Sequence, residues 1–197
     1  MHLPINRREQ ILNAAEELLR RYGFEKTNIV DVAKALGLSH TAVYKYFPTK
    51  LAVQEAVAAR WLTRITQPLA DIAASPSGAE QTLRRWLTVL VDLKRRKARE
   101  DCELFQVYHA LAESAESAVA HHVEQLTRQL AQIIEHGVES GEFRVRDSRQ
   151  AAQAVFNATV CFHHPHFVSK CDSQQPTEAD CRRVLDLLIG GLMAGSV

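Results

Sequence analysis

Glycine and proline are scarce in this chain, 8 and 6 of 197 residues. Ala, Leu, Glu, Gln and Arg, all helix formers, fill much of what remains. Alternating apolar and polar runs separated by hairpin signals are missing, which argues against sandwiches and barrels. No apolar run approaches the ~20 residues of a membrane span, and no signal peptide opens the chain. A cytoplasmic protein without membrane contact is expected. There the four cysteines, Cys102, Cys161, Cys171 and Cys181, would stay reduced, and they lack CxxC spacing. A Gly-rich phosphate loop, GxSxG and HExxH are also absent, so nothing points to an enzyme or to a cofactor. Internal repeats and low-complexity segments are missing too. Net charge is small, +1 overall.

That small net charge hides an uneven distribution. Residues 1–64 hold 10 Lys+Arg against 6 Asp+Glu, a net +4, and the remainder carries −3. A basic end on a neutral chain is the electrostatic footprint of a nucleic-acid-binding region. Within it lies TNIVDVAKALGLSHTAVYKYFPTK, residues 27–50. Asn28 with Asp31 reads as a helix start. Ile29, Val32, Ala33 and Leu36 recur at helical spacing. Gly37 offers the positive φ of a tight turn, and Ser39 can cap a second helix. Ala33 is small where the two helices would cross. Val43 and Phe47 point back into the domain, leaving His40, Thr41, Ala42, Tyr44, Lys45 and Tyr46 outward. Such a hairpin places its second helix in the major groove of DNA. A helical adaptor using the same hairpin for protein contacts is the rival reading, and it predicts no salt-dependent DNA binding.

The flanks make the match more specific. RREQILNAAEELLRRYGFEKTNIVDVAKALGLSHTAVYKYFPTK resembles the N-terminal domain of the TetR/AcrR transcriptional repressors. The resemblance spans residues 7–62 and includes Tyr22-Gly23-Phe24, Leu36-Gly37-Leu38-Ser39 and Val43-Tyr44-Lys45-Tyr46-Phe47. It implies that Thr27, Asn28, Tyr44, Tyr46 and Lys50 grip phosphates, while His40, Thr41 and Ala42 face bases; Lys45 also suits a phosphate. Thr41 and Ala42 stand where the family usually has Gly and then Thr or Ser. Leu51 stands where it usually has an acid. The first two change the base-facing surface, so no operator sequence carries over.

The expected fold is all-α with about nine helices. Residues 1–49 form a three-helix helix-turn-helix domain, and 50–197 a helical effector-binding and dimerisation domain entered through a connecting helix, 50–74. Helices are expected at about 6–22, 28–36, 40–46, 50–74, 79–98, 101–113 and 115–139, then from 147 and over 177–194. Ser75-Pro76-Ser77-Gly78 is a break. The run Lys94-Arg95-Arg96-Lys97 reads as a solvated helix end.

A homodimer follows from the geometry of palindromic operators, which need two reading helices ~34–36 Å apart. Val155 and Thr159, with Val184, Leu185, Leu188 and Leu192, are the interface candidates, and the resemblance implies a four-helix dimer bundle there. Gly190-Gly191 would allow close approach. Pro165 should kink or stop its helix, and a kink can line a pocket. Trp61, Trp86, Phe105, Tyr108, His109, Phe156 and His163 are the candidates for lining a small-molecule effector pocket. The alternative is a metal-responsive site at Cys161, His163 and His166.

Overall fold

The computed structural model describes residues 6–113, 117–168 and 176–195; Cys171 lies outside them. The described elements are all helices, as expected. The helices are α1 (Arg7–Lys26), α2 (Ile29–Ala35), α3 (His40–Tyr44), α4 (Lys50–Ala73), α5 (Ala79–Glu100), α6 (Cys102–Glu113), α7 (Ser117–Glu139), α8 (Ser148–Ala158), α9 (Val160–His163), α10 (Pro165–Val168) and α11 (Glu178–Ala194). None of the described helices is long and apolar enough to cross a membrane.

Packing groups these elements into two compact units, Met1–Leu62 with Arg99–Ala120, and Thr63–Ala98 with His121–Val197. In the first unit Ile11, Leu12, Ala15 and Leu19 of α1 are buried, as are Ile29, Val32 and Ala33 of α2, Val43 of α3 and Phe47 beyond it. α1 runs past its expected end. Gly23 interrupts it at φ 80°, ψ 178°, a conformation open to glycine and strained for other residues. The chain then continues helically to Lys26.

A charged lattice ties α1 to α4 and to the start of α6. The Glu16 carboxylate is almost fully buried. It accepts from Arg20 at 2.6 Å and also from Arg60. Arg60 donates further to Asn13 at 2.7 Å and to the Leu12 carbonyl at 3.1 Å. Arg20 reaches Asp101 at 3.0 and 3.2 Å, and the Trp61 indole donates to the same Asp101 carboxylate at 3.0 Å. Trp61 packs with Phe105 and Tyr108 at ring separations of 5.8 to 6.1 Å.

In the second unit, Leu83, Trp86, Leu87, Leu90 and Val91 form the stripe of α5. Leu126, Leu130, Ile133 and Ile134 form that of α7. The indole of Trp86 donates to Gln129 at 3.0 Å, and the Gln129 amide donates to the Thr66 carbonyl at 3.2 Å. The Glu142 carboxylate accepts the Ala79 and Glu80 amides at 3.0 and 3.1 Å, capping α5 from a distant loop. Those two amides hold its pKa below the usual carboxylate range, so the carboxylate stays ionised.

Gly137 on α7 is where the Phe143 ring lies down. An added Cβ would meet that ring at 2.2 Å and the Ala79 methyl at 2.8 Å. Gly137→Ala should therefore destabilise the fold by about 1–3 kcal/mol, the usual cost of overpacking. Urea melts would show it, and an unchanged midpoint would mean the ring relocates freely.

The segment expected as a helix from 147 that kinks or stops near Pro165 is three pieces. Asp147 caps α8, accepting from the Arg149 and Gln150 amides at 2.9 and 3.1 Å. A first break falls at Thr159, whose hydroxyl donates to the Val155 carbonyl at 2.8 Å and competes with the helix ladder. The second falls at His164, with φ −70°, ψ 137°. The residue before proline is pushed out of helical space. Pro165 then opens α10, a position that needs no N–H.

Candidate nucleic-acid interface and effector site

The helix pair of residues 29–44 is built by its caps. Asp31 accepts the Asn28 amide at 3.3 Å, and Ser39 accepts the Ala42 amide at 3.2 Å. Gly37 between them has φ 63°. With Val43 fully buried and Phe47 nearly so, α3 turns His40, Thr41, Tyr44, Lys45 and Tyr46 outward and leaves Ala42 half-covered. Tyr44 and Tyr46 are large aromatic side chains exposed at 45% and 44%. Asn28 is exposed as well.

Two expected phosphate contacts are occupied within the chain. Thr27 is only 4% exposed. Its hydroxyl donates inward to the Gly23 carbonyl at 2.9 Å, which braces the break in α1. The Lys50 ammonium, half-covered, donates to the Glu25 carbonyl at 2.7 Å.

The residues expected around an effector are divided between the units. Trp61, Phe105, Tyr108 and His109 belong to the first, and Trp86, Phe156 and His163 to the second. All are buried except His109, whose ring lies 3.8 Å from Glu113. Burial raises the Tyr108 phenol pKa well above its ordinary value, so it remains protonated. An open groove of about 340 Å³ runs between α5 and α11 over Val91, Cys181 and Leu185, rimmed by Arg84, Arg95 and Arg182. None of the seven expected residues lines it.

Among the described residues, Cys161, His163 and His166 do not converge their ligand atoms on a common point. His163 is buried, stacked on Phe156 at 4.6 Å, with Nε2 3.3 Å from the Thr159 hydroxyl. Burial and the nearby Lys94 charge push its pKa down to about 3.

The interface candidates are also redistributed by packing. Val155, Thr159, Leu185 and Leu192 are buried within one chain. Val184 and Leu188 are half-exposed. On the same side of α11 Leu187 is 80% exposed, and Met193, on the opposite flank, is 38% exposed. A Cβ at Gly190 would meet nothing within 4 Å.

Lys94 is the residue that the basic run concealed. Its neighbours in that run are at least partly solvated, but Lys94 is 1% exposed. Its ammonium lies 2.9 Å from His122 Nε2, and burial lowers its pKa to about 7. Burial, and then the Lys94 charge, push the His122 pKa well below the ordinary range. A signal was present: Lys94 follows Leu90 by four and Val91 by three, and His122 stands between Val119 and Leu126, each on its helix's buried stripe.

A basic, capped helix pair followed by a larger helical unit defines a helix-turn-helix regulator. Two family models match: bacterial regulatory proteins of the tetR family over residues 11–57, and the tetracyclin repressor-like C-terminal domain over residues 79–185. The chain belongs to the TetR family; it is a DNA-binding, ligand-responsive transcriptional repressor that works as a dimer. Solved structures share the fold. The lauroyl-CoA complex of Thermus thermophilus FadR, a TetR-family repressor, is 22% identical, with a TM-score of 0.65 over 97% of this chain and 95% of that one. FadR from Bacillus halodurans, a fatty acid degradation regulator, is 22% identical, with a TM-score of 0.64 over 97% and 98%. SmeT, repressor of a multidrug efflux pump in Stenotrophomonas maltophilia, is 18% identical, with a TM-score of 0.67 over 95% and 90%. Comparison with curated protein sequences gives no match.

Proposed function

We propose that a dimer of this chain reads a palindromic operator through α3 and is released by a small organic effector. The observation that carries this reading is the outward set on a rigidly capped α3: His40 and Thr41 for base edges, and Tyr44, Lys45 and Tyr46 for phosphates. Ala42 is small enough to sit against a thymine methyl. Asn28 supports the backbone grip, and Lys50 joins it if it leaves the Glu25 carbonyl. Thr27 acts instead as a brace for α1.

Dimerisation is assigned to the exposed side of α11, where Val184, Leu187 and Leu188 flank Gly190 and Gly191. Leu187 at 80% exposure supports this, because a large apolar side chain so open on an amphipathic helix suits a partner helix. The effector is assigned to the unit Thr63–Ala98 with His121–Val197, where Trp86, Phe156 and His163 supply aromatic surface. α4 has residues in both units, and its displacement on binding would carry the signal to α1–α3.

Gel shifts on the intergenic DNA upstream of its own gene test the reading. The wild type should form a specific complex that weakens steeply as salt rises. Thr41→Ala should relax sequence preference with a loss of about 1–3 kcal/mol in discrimination. Lys45→Ala should weaken all sequences alike and flatten the salt slope by about one. A complex insensitive to salt, or none at moderate salt, would favour the adaptor reading.

A further inference from the structure

The groove between α5 and α11 is built from one face of each helix. Thr88, Val91, Asp92 and Arg95 recur at helical spacing on α5, and Glu178, Cys181, Arg182 and Leu185 do so on α11. Val91 and Cys181 belong to one buried apolar cluster, and Leu185 is 3% exposed, so the floor is apolar and well packed. Two bonds join the helices across it. Arg84, the first α5 residue in the lining, donates to Asp186 of α11 at 2.6 Å. Arg95, the last, donates to the Pro176 carbonyl, just ahead of α11, at 2.7 Å. The space of about 340 Å³ is the size that holds a small molecule. Its charges do not all cancel. Arg84 is balanced by Glu80 at 2.8 Å and by Asp186, and Arg182 by Glu178 at 3.0 Å. Among the described residues, Arg95 has only the neutral Pro176 carbonyl as its hydrogen-bond partner, and Asp92 pairs with no cation. These two lie about one turn apart on the same side of α5. One guanidinium and one carboxylate therefore remain unbalanced beside an apolar floor.

We propose that this groove binds a zwitterionic apolar amino acid, its carboxylate on Arg95, its ammonium on Asp92 and its side chain over Val91, Cys181 and Leu185. Charge complementarity selects this class. An organic anion without an amine meets the like charge of Asp92, and an amine without a carboxylate meets that of Arg95. A ligand with both charges on one carbon answers both residues. A sugar phosphate has no apolar part to cover the floor. The bond to Pro176 already holds the Arg95 guanidinium, so less of its rotamer freedom is lost on binding. The site goes beyond the effector reading above, since neither Trp86, Phe156 nor His163 lines it.

Calorimetry on the full-length protein tests this with L-leucine, N-acetyl-L-leucine, L-leucinamide and glycine. Leucine should bind at least about tenfold more tightly than either singly charged derivative, the scale of one charged hydrogen-bonded contact. Glycine, with no side chain for the floor, should bind at least about tenfold more weakly than leucine. Asp92→Asn should bring leucine down to the level of N-acetyl-leucine, and Arg95→Gln to that of leucinamide. Both positions reach solvent, and thermal melts check that the variants fold. Arg95→Lys keeps the positive charge and should retain part of the preference. No binding of leucine, equal binding of its three forms, or a preference that survives both Asp92→Asn and Arg95→Gln would overturn the inference. Gel shifts on the same samples separate the two failures. A wild type that binds operator DNA but not leucine loses this site alone, and one that binds leucine but no DNA loses the repressor reading alone.

Discussion

Glu16→Ala should destabilise this protein by about 3–5 kcal/mol, the scale of removing one partner from a buried charged pair. Glu16 is 4% exposed and holds two guanidinium groups, one on its own helix and one on α4. Their weights differ. Arg20 is 40% exposed at its side chain and pairs with Glu16 at i,i+4, a contact worth only a few tenths of a kcal/mol, roughly. Arg60 is 22% exposed, and it also donates to the Leu12 carbonyl and to Asn13. Removing Glu16 leaves Arg60 with the exposed Glu9, 3.2 Å away, as its remaining acid. Glu16→Gln keeps shape and one acceptor and should lose about half as much. Urea denaturation of the two variants checks the order. A loss below about 1 kcal/mol for Glu16→Ala would place the lattice among surface ion pairs. Operator affinity should fall with stability, because α1 supports the helix pair.

Lys94→Met should raise stability at neutral pH by an amount on the order of a few kcal/mol, since the Lys94 pKa is about 7 in the fold against an ordinary 10.5. The direction follows from linkage. Between these values the unfolded chain holds a proton that the folded chain has released, so wild-type stability rises with pH across this window. Below about pH 7 the full penalty is present, and above 10.5 it is gone. His122 and His163 stay neutral throughout, both being lowered below their ordinary pKa, and Tyr108 is common to both proteins. The advantage of the methionine variant should therefore be greatest at pH 6–7 and shrink towards pH 10. Urea midpoints across this range measure it. A gap that does not change with pH would mean that Lys94 keeps its proton inside the fold, with an ordinary pKa.

The caps and turns of the reading helix were legible because they are local. Asp31 with Asn28, Gly37, Ser39 and Pro165 each act within four residues, where side-chain chemistry and backbone preference decide the outcome. The break at Thr159 was not visible, because a threonine in a helix normally carries no stop. Here its hydroxyl turns back onto the Val155 and Phe156 carbonyls. Thr27 shows the opposite limit. The family resemblance implied an outward phosphate contact, and the bend at Gly23 offered a nearer acceptor.

By itself the sequence determined an all-helical chain, the start and end of nearly every helix, and a DNA-reading hairpin whose outward residues can be named. Periodicity and capping are properties of one segment, and the tetR-family match over residues 11–57 rests on such segments. Only the tertiary structure decided which apolar face is covered. α11 has apolar residues on two sides, and packing takes Leu185, Ile189 and Leu192 inward while leaving Leu187 and Met193 open. It alone decided the fate of the charges as well. Lys94 is one of four consecutive basic residues in sequence, and Glu16 one of two adjacent acids. Each became a buried centre because partners from other helices, His122 for one and Arg60 for the other, stand where no local rule could put them.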